Sequence, residues 1–271
     1  MRRAIRLGWT VHAVSTAKSL GLALLPFGLG LVLLGGVGCD NSSGSLRFAF
    51  NSGTGESFVG TGIGRGRVFG REYLFYIPPD YNGQRVPLVV AFHGAGEEAS
   101  EMIALYRRLA DDEPFIILAP EFVSQSDLLP PPYGTDTVGI VETMIDDVQF
   151  RFAIDPNRRY LSGFSIGGSV SYILALLNAS EFAAASVWAG GYTGTSSVQA
   201  QLLVDSASRR IPIYAEHGVN DGVFPIAPAR IARDTLQSAG HPALLVEHTA
   251  GHGIPGTSEQ DAWAFLRGFS L

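Results

Sequence analysis

The stretch "YLSGFSIGGS" at 160–169 sets Ser165 in the pattern Gly163-Phe164-Ser165-Ile166-Gly167. A serine hydroxyl is a weak nucleophile alone. It needs a base to take its proton and donors for the charge that develops on the attacked atom. G-x-S-x-G meets that need when a strand ends just before it and a helix begins just after. Gly163 and Gly167 then relieve crowding in a tight turn, and Gly168 lets the helix start close to the sheet. The amides at the helix start favour negative charge. A glycine-rich helix start with a capping serine is the other use of the same residues.

Three further stretches carry what the serine would need. His93-Gly94-Ala95-Gly96 follows the apolar run "LVVAF". A turn there leaves backbone N–H groups free, so the amides of Ala95 and Ile166 are the expected donors to an oxyanion. His93 is expected to order the loop rather than to act as base, with Gly94, Gly163 and Gly167 supporting the site. "EHGVNDGVFP" carries Asp221 between Asn220 and Gly222, placed to orient an imidazole. Its other use is a turn aspartate serving its own backbone. Asp205 and Glu216 are less well placed, one before a strand and one within it. "HTAGHGIPG" carries two histidines. His248 is expected still on a strand. His252, between two glycines, is the expected base. The chain order is Ser165, Asp221, His252.

These stretches need elements to hold them. "REYLFYIP" alternates and stops at Pro78, while "VPLVVAF" at 86–92 and "FIILAP" at 115–120 are continuous apolar runs of the kind buried on both faces of a sheet. "RRYLSGF", "AAASVWAG", "IPIYAEHG" and "ALLVEHT" supply four more strands. Helical spacing marks 98–110, 137–152, the segment after Ser165, 226–239 and 258–269. Strands alternating with helices predict an α/β fold with a mainly parallel sheet covered on both faces. Sites in such sheets gather at the carboxyl ends of the strands, where all four reactive stretches fall.

The chain has 271 residues, 46% hydrophobic and 16% charged, with a net charge of −6. That is enough for one sizeable core, and the absence of a basic run argues against nucleic acid as a partner. The single cysteine, Cys39, excludes an intramolecular disulfide. Residues 1–39 have the layout of an export signal or membrane anchor: early arginines, an uncharged run from Leu20 to Val37, then small residues. "GGVGCD" resembles a bacterial lipoprotein signal, in which the cysteine becomes the lipid-modified first residue; Gly36 stands where leucine is usual. Residues 40–66, rich in Gly, Ser and Asn, read as a flexible tether. The folded domain is expected at 67–271.

"REYLFYIPPDYNGQRVPLVVAFHGAG", "IDPNRRYLSGFSIGGSVSYILAL" and "FAAASVWAGG" resemble the α/β-hydrolase esterases related to polyhydroxybutyrate depolymerases and feruloyl esterases. The resemblance covers about Arg71 to Phe269. It implies an α/β-hydrolase fold and a serine esterase of the cell envelope or secreted, with Ser165, Asp221 and His252 as its triad. Many relatives have Ala or Asn where this chain has Ile166, so the pocket is expected to be narrower. The reading is a cofactor-free hydrolase of small or oligomeric carboxylic esters, without a large lid domain. Segments 124–134 and 191–208 are expected to wall the site. A peptidase on the same fold and a non-catalytic envelope protein that binds a ligand remain open from the sequence.

Overall fold

The computed structural model describes residues 60–121, 135–192 and 197–271, and nothing is described of the side chains of 135–138, 197 and 199. The export-signal segment with Cys39, residues 40–59 of the tether and the 124–134 wall lie outside the described residues. Eight strands form one sheet: β1 Gly62–Val68, β2 Arg71–Ile77, β3 Val86–Phe92, β4 Ile116–Pro120, β5 Ile154–Phe164, β6 Ala184–Trp188, β7 Ile213–Gly218 and β8 Ala243–His248. Their order is β1-β2-β4-β3-β5-β6-β7-β8. The β1–β2 and β2–β4 pairs are antiparallel, and every pair from β4 to β8 is parallel.

Among the described residues, six helices accompany the sheet: α1 Ala99–Asp112, α2 Thr135–Arg151, α3 Ile166–Leu177, α4 Ser197–Asp205, α5 Ile226–Ser238 and α6 Ser258–Leu266. β3 shows how the two faces are filled. Leu88, Val90 and Phe92 join the cluster under α2, α3 and α5. Val89 and Ala91 join the opposite cluster, with Met102, Ile103 and Tyr106 of α1 and Trp263 and Leu266 of α6. Each fully buried large apolar side chain is worth roughly 1.5–3 kcal/mol. A one-residue slip would therefore exchange two filled faces, and the register is firmly specified. Among the described residues no helix is long and apolar enough to cross a membrane.

The sheet begins earlier than the tether reading of 40–66 places it. β1 lies mostly inside that stretch and pairs along its whole length with β2. The glycines that made it look like linker are structural. A Cβ on Gly64 would stand 2.1 Å from the Phe75 ring, and one on Gly66 2.0 Å from the Tyr73 ring. The ends of the two rings occupy the space where side chains at Gly64 and Gly66 would stand. The alternate residues Arg65 and Arg67 face outward and pair with Glu72. Helix α2 holds the same corner: Arg151 donates to the Tyr73 hydroxyl at 2.7 Å and lies over the Phe75 ring. The charged, glycine-bearing strand also protects an open sheet edge from further pairing. Helix α4, within the 191–208 segment, is the other element that sequence spacing did not mark.

Gly66→Val should force the Tyr73 ring out of this corner and lower stability by about 1–3 kcal/mol, the usual cost of overpacking. Urea unfolding with a reporter in the main core checks it; an unchanged midpoint would show that β1 carries no stability.

Candidate active site

Ser165 sits between β5 and α3 with φ 56° and ψ −121°, a backbone conformation costly for a residue with a Cβ. The neighbouring glycines make it possible. A Cβ on Gly163 would lie 2.3 Å from Gly167 O, and one on Gly167 2.2 Å from Phe92 O and 2.5 Å from His93 O. A Cβ on Gly168 would come within 3.0 Å of Trp188 O. The turn is thus pressed between the ends of β3 and β6 by backbone alone. The Ser165 N–H donates to Trp188 O at 2.9 Å and fixes the peptide that enters the turn.

The end of β3 forms the turn 94–97. Gly96, at φ 80°, supplies its left-handed position, and the Glu97 N–H donates to Gly94 O at 3.2 Å. His93 is buried, and its Nδ1 donates to Gly94 O at 2.8 Å. The Gly94 N–H is taken by Glu97 Oε2 at 2.7 Å. Among the described residues the Ala95 N–H has no hydrogen-bond acceptor. The Ile166 N–H belongs to the first turn of α3, where amides have no partner within the helix.

Asp221 lies in the loop after β7, its side chain fully shielded from solvent. Its Oδ1 accepts the amides of Val223 at 2.8 Å and Phe224 at 2.9 Å. Its Oδ2 accepts His252 Nδ1–H at 2.7 Å. Burial pushes this carboxyl up, but the hydrogen bond from His252, those from the Phe224 and Val223 amides and the His252 charge more than offset that. The net direction is below the ordinary aspartate value.

His252 comes from the loop after β8, the far edge strand, and must reach back across β7 and β6. That loop rests on β7 and the segment after it. A Cβ on Gly218 would strike Ala250 O at 2.2 Å and Gly251 O at 2.4 Å. Asn220 Nδ2 donates to Thr249 O at 2.6 Å, and Ser258, which opens α6, donates to buried Glu216 at 2.8 Å. The imidazole lies between Phe164, at 5.0 Å between ring centroids, and Phe224, at 5.8 Å. Its Nε2 is 2.8 Å from Ser165 Oγ. With Nδ1 donating to Asp221, Nε2 is the acceptor and the serine hydroxyl donates to it. The geometry thus joins Ser165, His252 and Asp221 in one hydrogen-bond chain that can move a proton off the serine.

The remaining sequence candidates stand apart from that chain. His248 ends β8, and its ring nitrogens have no hydrogen-bond partner among the described residues. Asp205 ends α4, and Glu216 is held inside the fold by Tyr214 at 3.1 Å and by Ser258. Among the described residues no group of His, Cys, Asp and Glu could hold a metal ion. Residues not singled out from sequence also shape the site. Ser169 Oγ accepts the Gly191 N–H at 2.8 Å, and the Phe224 ring packs against Gly191. His217, fully buried one residue before the end of β7, has its Nε2 3.3 Å from Asp221 Oδ2. A histidine in an apolar strand just ahead of the acid loop was the signal available for it.

A carboxyl whose folded pKa lies below its unfolded value adds stability at pH above the unfolded value, about 3.9, and loses it as the pH falls through the folded one. Stability measured by urea unfolding from pH 6 down to pH 2 should therefore fall more steeply at the acid end in wild type than in Asp221→Asn. Parallel curves would mean that the carboxylate contributes nothing to the fold.

The comparisons with known proteins agree with this architecture. The chain is 28% identical over 168 residues to a probable feruloyl esterase C of Aspergillus terreus, a match covering 59% of this chain and 58% of that protein. The matched part is therefore less than two thirds of that relative's length. It is 27% identical over 247 residues to feruloyl esterase C of Emericella nidulans, covering 75% of this chain and 86% of that one. The acetyl xylan esterase from Aspergillus awamori superposes with a TM-score of 0.61 at 15% identity, covering 75% of this chain and 98% of that structure, which shows the fold alone. The family model "Esterase PHB depolymerase" matches residues 71–248, from the first residue of β2 to the last of β8 and short of His252. On that match, which takes in more than half of its residues, the chain belongs to the esterase PHB depolymerase family of α/β-hydrolases.

Proposed function

We propose that this chain hydrolyses carboxylic esters through an acyl-enzyme on Ser165. The observation that carries the reading is the hydrogen-bond chain from Ser165 Oγ through His252 to Asp221. In the first half-reaction Ser165 Oγ attacks the ester carbonyl while its proton passes to His252 Nε2. The carbonyl oxygen becomes an oxyanion, which accepts hydrogen bonds from the amides of Ala95 and Ile166. Asp221, lowered in pKa and so ionised at neutral pH, stabilises the imidazolium and keeps its tautomer. The intermediate collapses, and the leaving alcohol takes the proton from Nε2. Water then attacks the acyl-serine and gives its proton to His252, which passes it to Ser165 Oγ as the acid leaves. No step calls for a group beyond these residues and water.

Membership in an esterase family and relatives that bear the name feruloyl esterase support esters over amides. The half-exposed Phe164 and Phe224 rings beside His252 suit a flat or short acyl group. The catalytic domain takes in the sheet from Gly62 onward, five residues earlier than the 67–271 expected from sequence. Ahead of it, residues 1–39 direct export, Cys39 carries the lipid, and the chain between serves as a tether to the membrane.

Ser165→Ala should leave folding intact and lower hydrolysis of p-nitrophenyl acetate and methyl ferulate by roughly 10³-fold or more, since the covalent step is gone. A variant keeping a third of the activity, or a wild type that cleaves peptide amides faster than esters, would sink the reading.

Cys39→Ser should move the protein from the membrane fraction to the soluble one, or leave an uncleaved precursor, with esterase activity per molecule unchanged. Each buried acyl CH₂ contributes about 0.8 kcal/mol to membrane binding and nothing to a fold that excludes the tether. Mass spectrometry showing an unmodified Cys39 would remove the lipid anchor while sparing the enzyme.

A further inference from the structure

His217 has no part in the chemistry above, yet it lies against the group that orients the base. Its side chain is fully buried on β7. Its Nε2 lies 2.7 Å from Phe224 O and 3.3 Å from Asp221 Oδ2. A carbonyl oxygen and an ionised carboxylate are both acceptors, so this nitrogen carries a proton. Its other ring nitrogen, Nδ1, is buried without a hydrogen-bond partner. An orphaned buried polar atom costs about 1–3 kcal/mol, which an apolar side chain of similar size would avoid. Packing therefore does not account for histidine here; the Nε2–H donor does.

That donor acts at a sensitive place. Phe224 is held on both sides: its N–H goes to Asp221 Oδ1 at 2.9 Å, and its carbonyl accepts from His217. The Phe224 ring in turn stands edge-on to the His252 imidazole. The Asp221 carboxylate accepts two amides on Oδ1 and His252 on Oδ2, with His217 Nε2 3.3 Å from Oδ2. The amides on Oδ1 and His252 on Oδ2 hold the carboxylate from two directions, and His217 fixes Phe224, the residue that supplies one of those amides. The geometry points to His217 as a positioning residue: its Nε2–H, given to Phe224 O with Asp221 Oδ2 3.3 Å away, fixes the segment whose amides hold Asp221 and so sets the angle at which Asp221 meets His252. The inference rests on the esterase reading. An imidazole held a fraction of an ångström away from its attack geometry would bind substrate as before and transfer the proton more slowly, so the effect belongs in kcat and not in KM.

The test compares two amides. The glutamine of His217→Gln can place an N–H donor near the position of His217 Nε2, whereas the asparagine of His217→Asn is too short to reach it. Both keep a polar group in the site, and active sites are counted with a fluorophosphonate so that kcat refers to folded, competent serine. His217→Asn should lose about 10-fold or more in kcat per labelled site, with KM within about twofold of wild type. His217→Gln should recover to within about threefold of wild type. A merely structural role would lower the melting temperature and the labelled fraction of both variants and leave kcat per site alone. Equal kcat per site in wild type and His217→Asn, or a His217→Gln as slow as His217→Asn, overturns the assignment. If one variant does not fold, His217→Leu, which matches the volume without the donor, takes its place with the same expectation as His217→Asn. A wild type that neither labels nor cleaves esters overturns the esterase reading and this one with it. A wild type that does both, beside an unaffected His217→Asn, overturns only the role of His217.

Discussion

The structure depends on a close backbone contact at the end of β5. Ser165 takes a conformation that side chains resist, and it is kept there because Gly167 touches the carbonyls of Phe92 and His93 while Gly163 touches Gly167. No side chain fits in either gap. The strain is held by the surrounding sheet: β5 lies between β3 and β6, paired with both up to its last residues. Loosening either pairing would let the turn relax, and Ser165 would no longer face His252. The contact also brings the start of α3 against the end of β3 and His93, just ahead of the 94–97 turn.

The basic and acidic groups are organised differently. They come from two neighbouring strands at one side of the sheet, and their loops support each other before they reach Ser165. The Asp221 loop closes on its own backbone through the Val223 and Phe224 amides. The His252 loop lies on Gly218, is tied by Asn220, and is stopped at its far end by the bond from Ser258 to Glu216. Two half-exposed phenylalanines then hold the imidazole ring between them. The site is thus a rigid serine turn facing a braced acid–base pair, joined by a single 2.8 Å hydrogen bond.

Much of this was legible along the chain. The strands that bury both faces appear as unbroken apolar runs, and the glycines around Ser165 mark a tight turn on chemistry alone. Asp221 was separable from Glu216 because a carboxylate inside an apolar strand needs partners there, and Tyr214 and Ser258 supply them. β1 was not legible. Its glycines and arginines have the composition of a linker, and only the rings of Tyr73 and Phe75, which follow it in sequence, turn them into a strand. Helix α4 was missed for a similar reason: Val198 and Leu202 are exposed, so it lacks a clear apolar stripe.

The sequence by itself determined the residue types, their order and the elements that carry them, because burial on one face or two imposes a period that short-range chemistry can reveal. It singled out a serine in a glycine turn, an acid after one strand and a histidine after the next. Only the tertiary structure decided distance. That His252 reaches Ser165 from the far edge of the sheet, that the Gly94 amide is taken and the Ala95 amide left, and that His217 stands behind Asp221 all follow from contacts between segments far apart in the chain. Such contacts depend on how strands are ordered and twisted against one another, and no local pattern of residues records that.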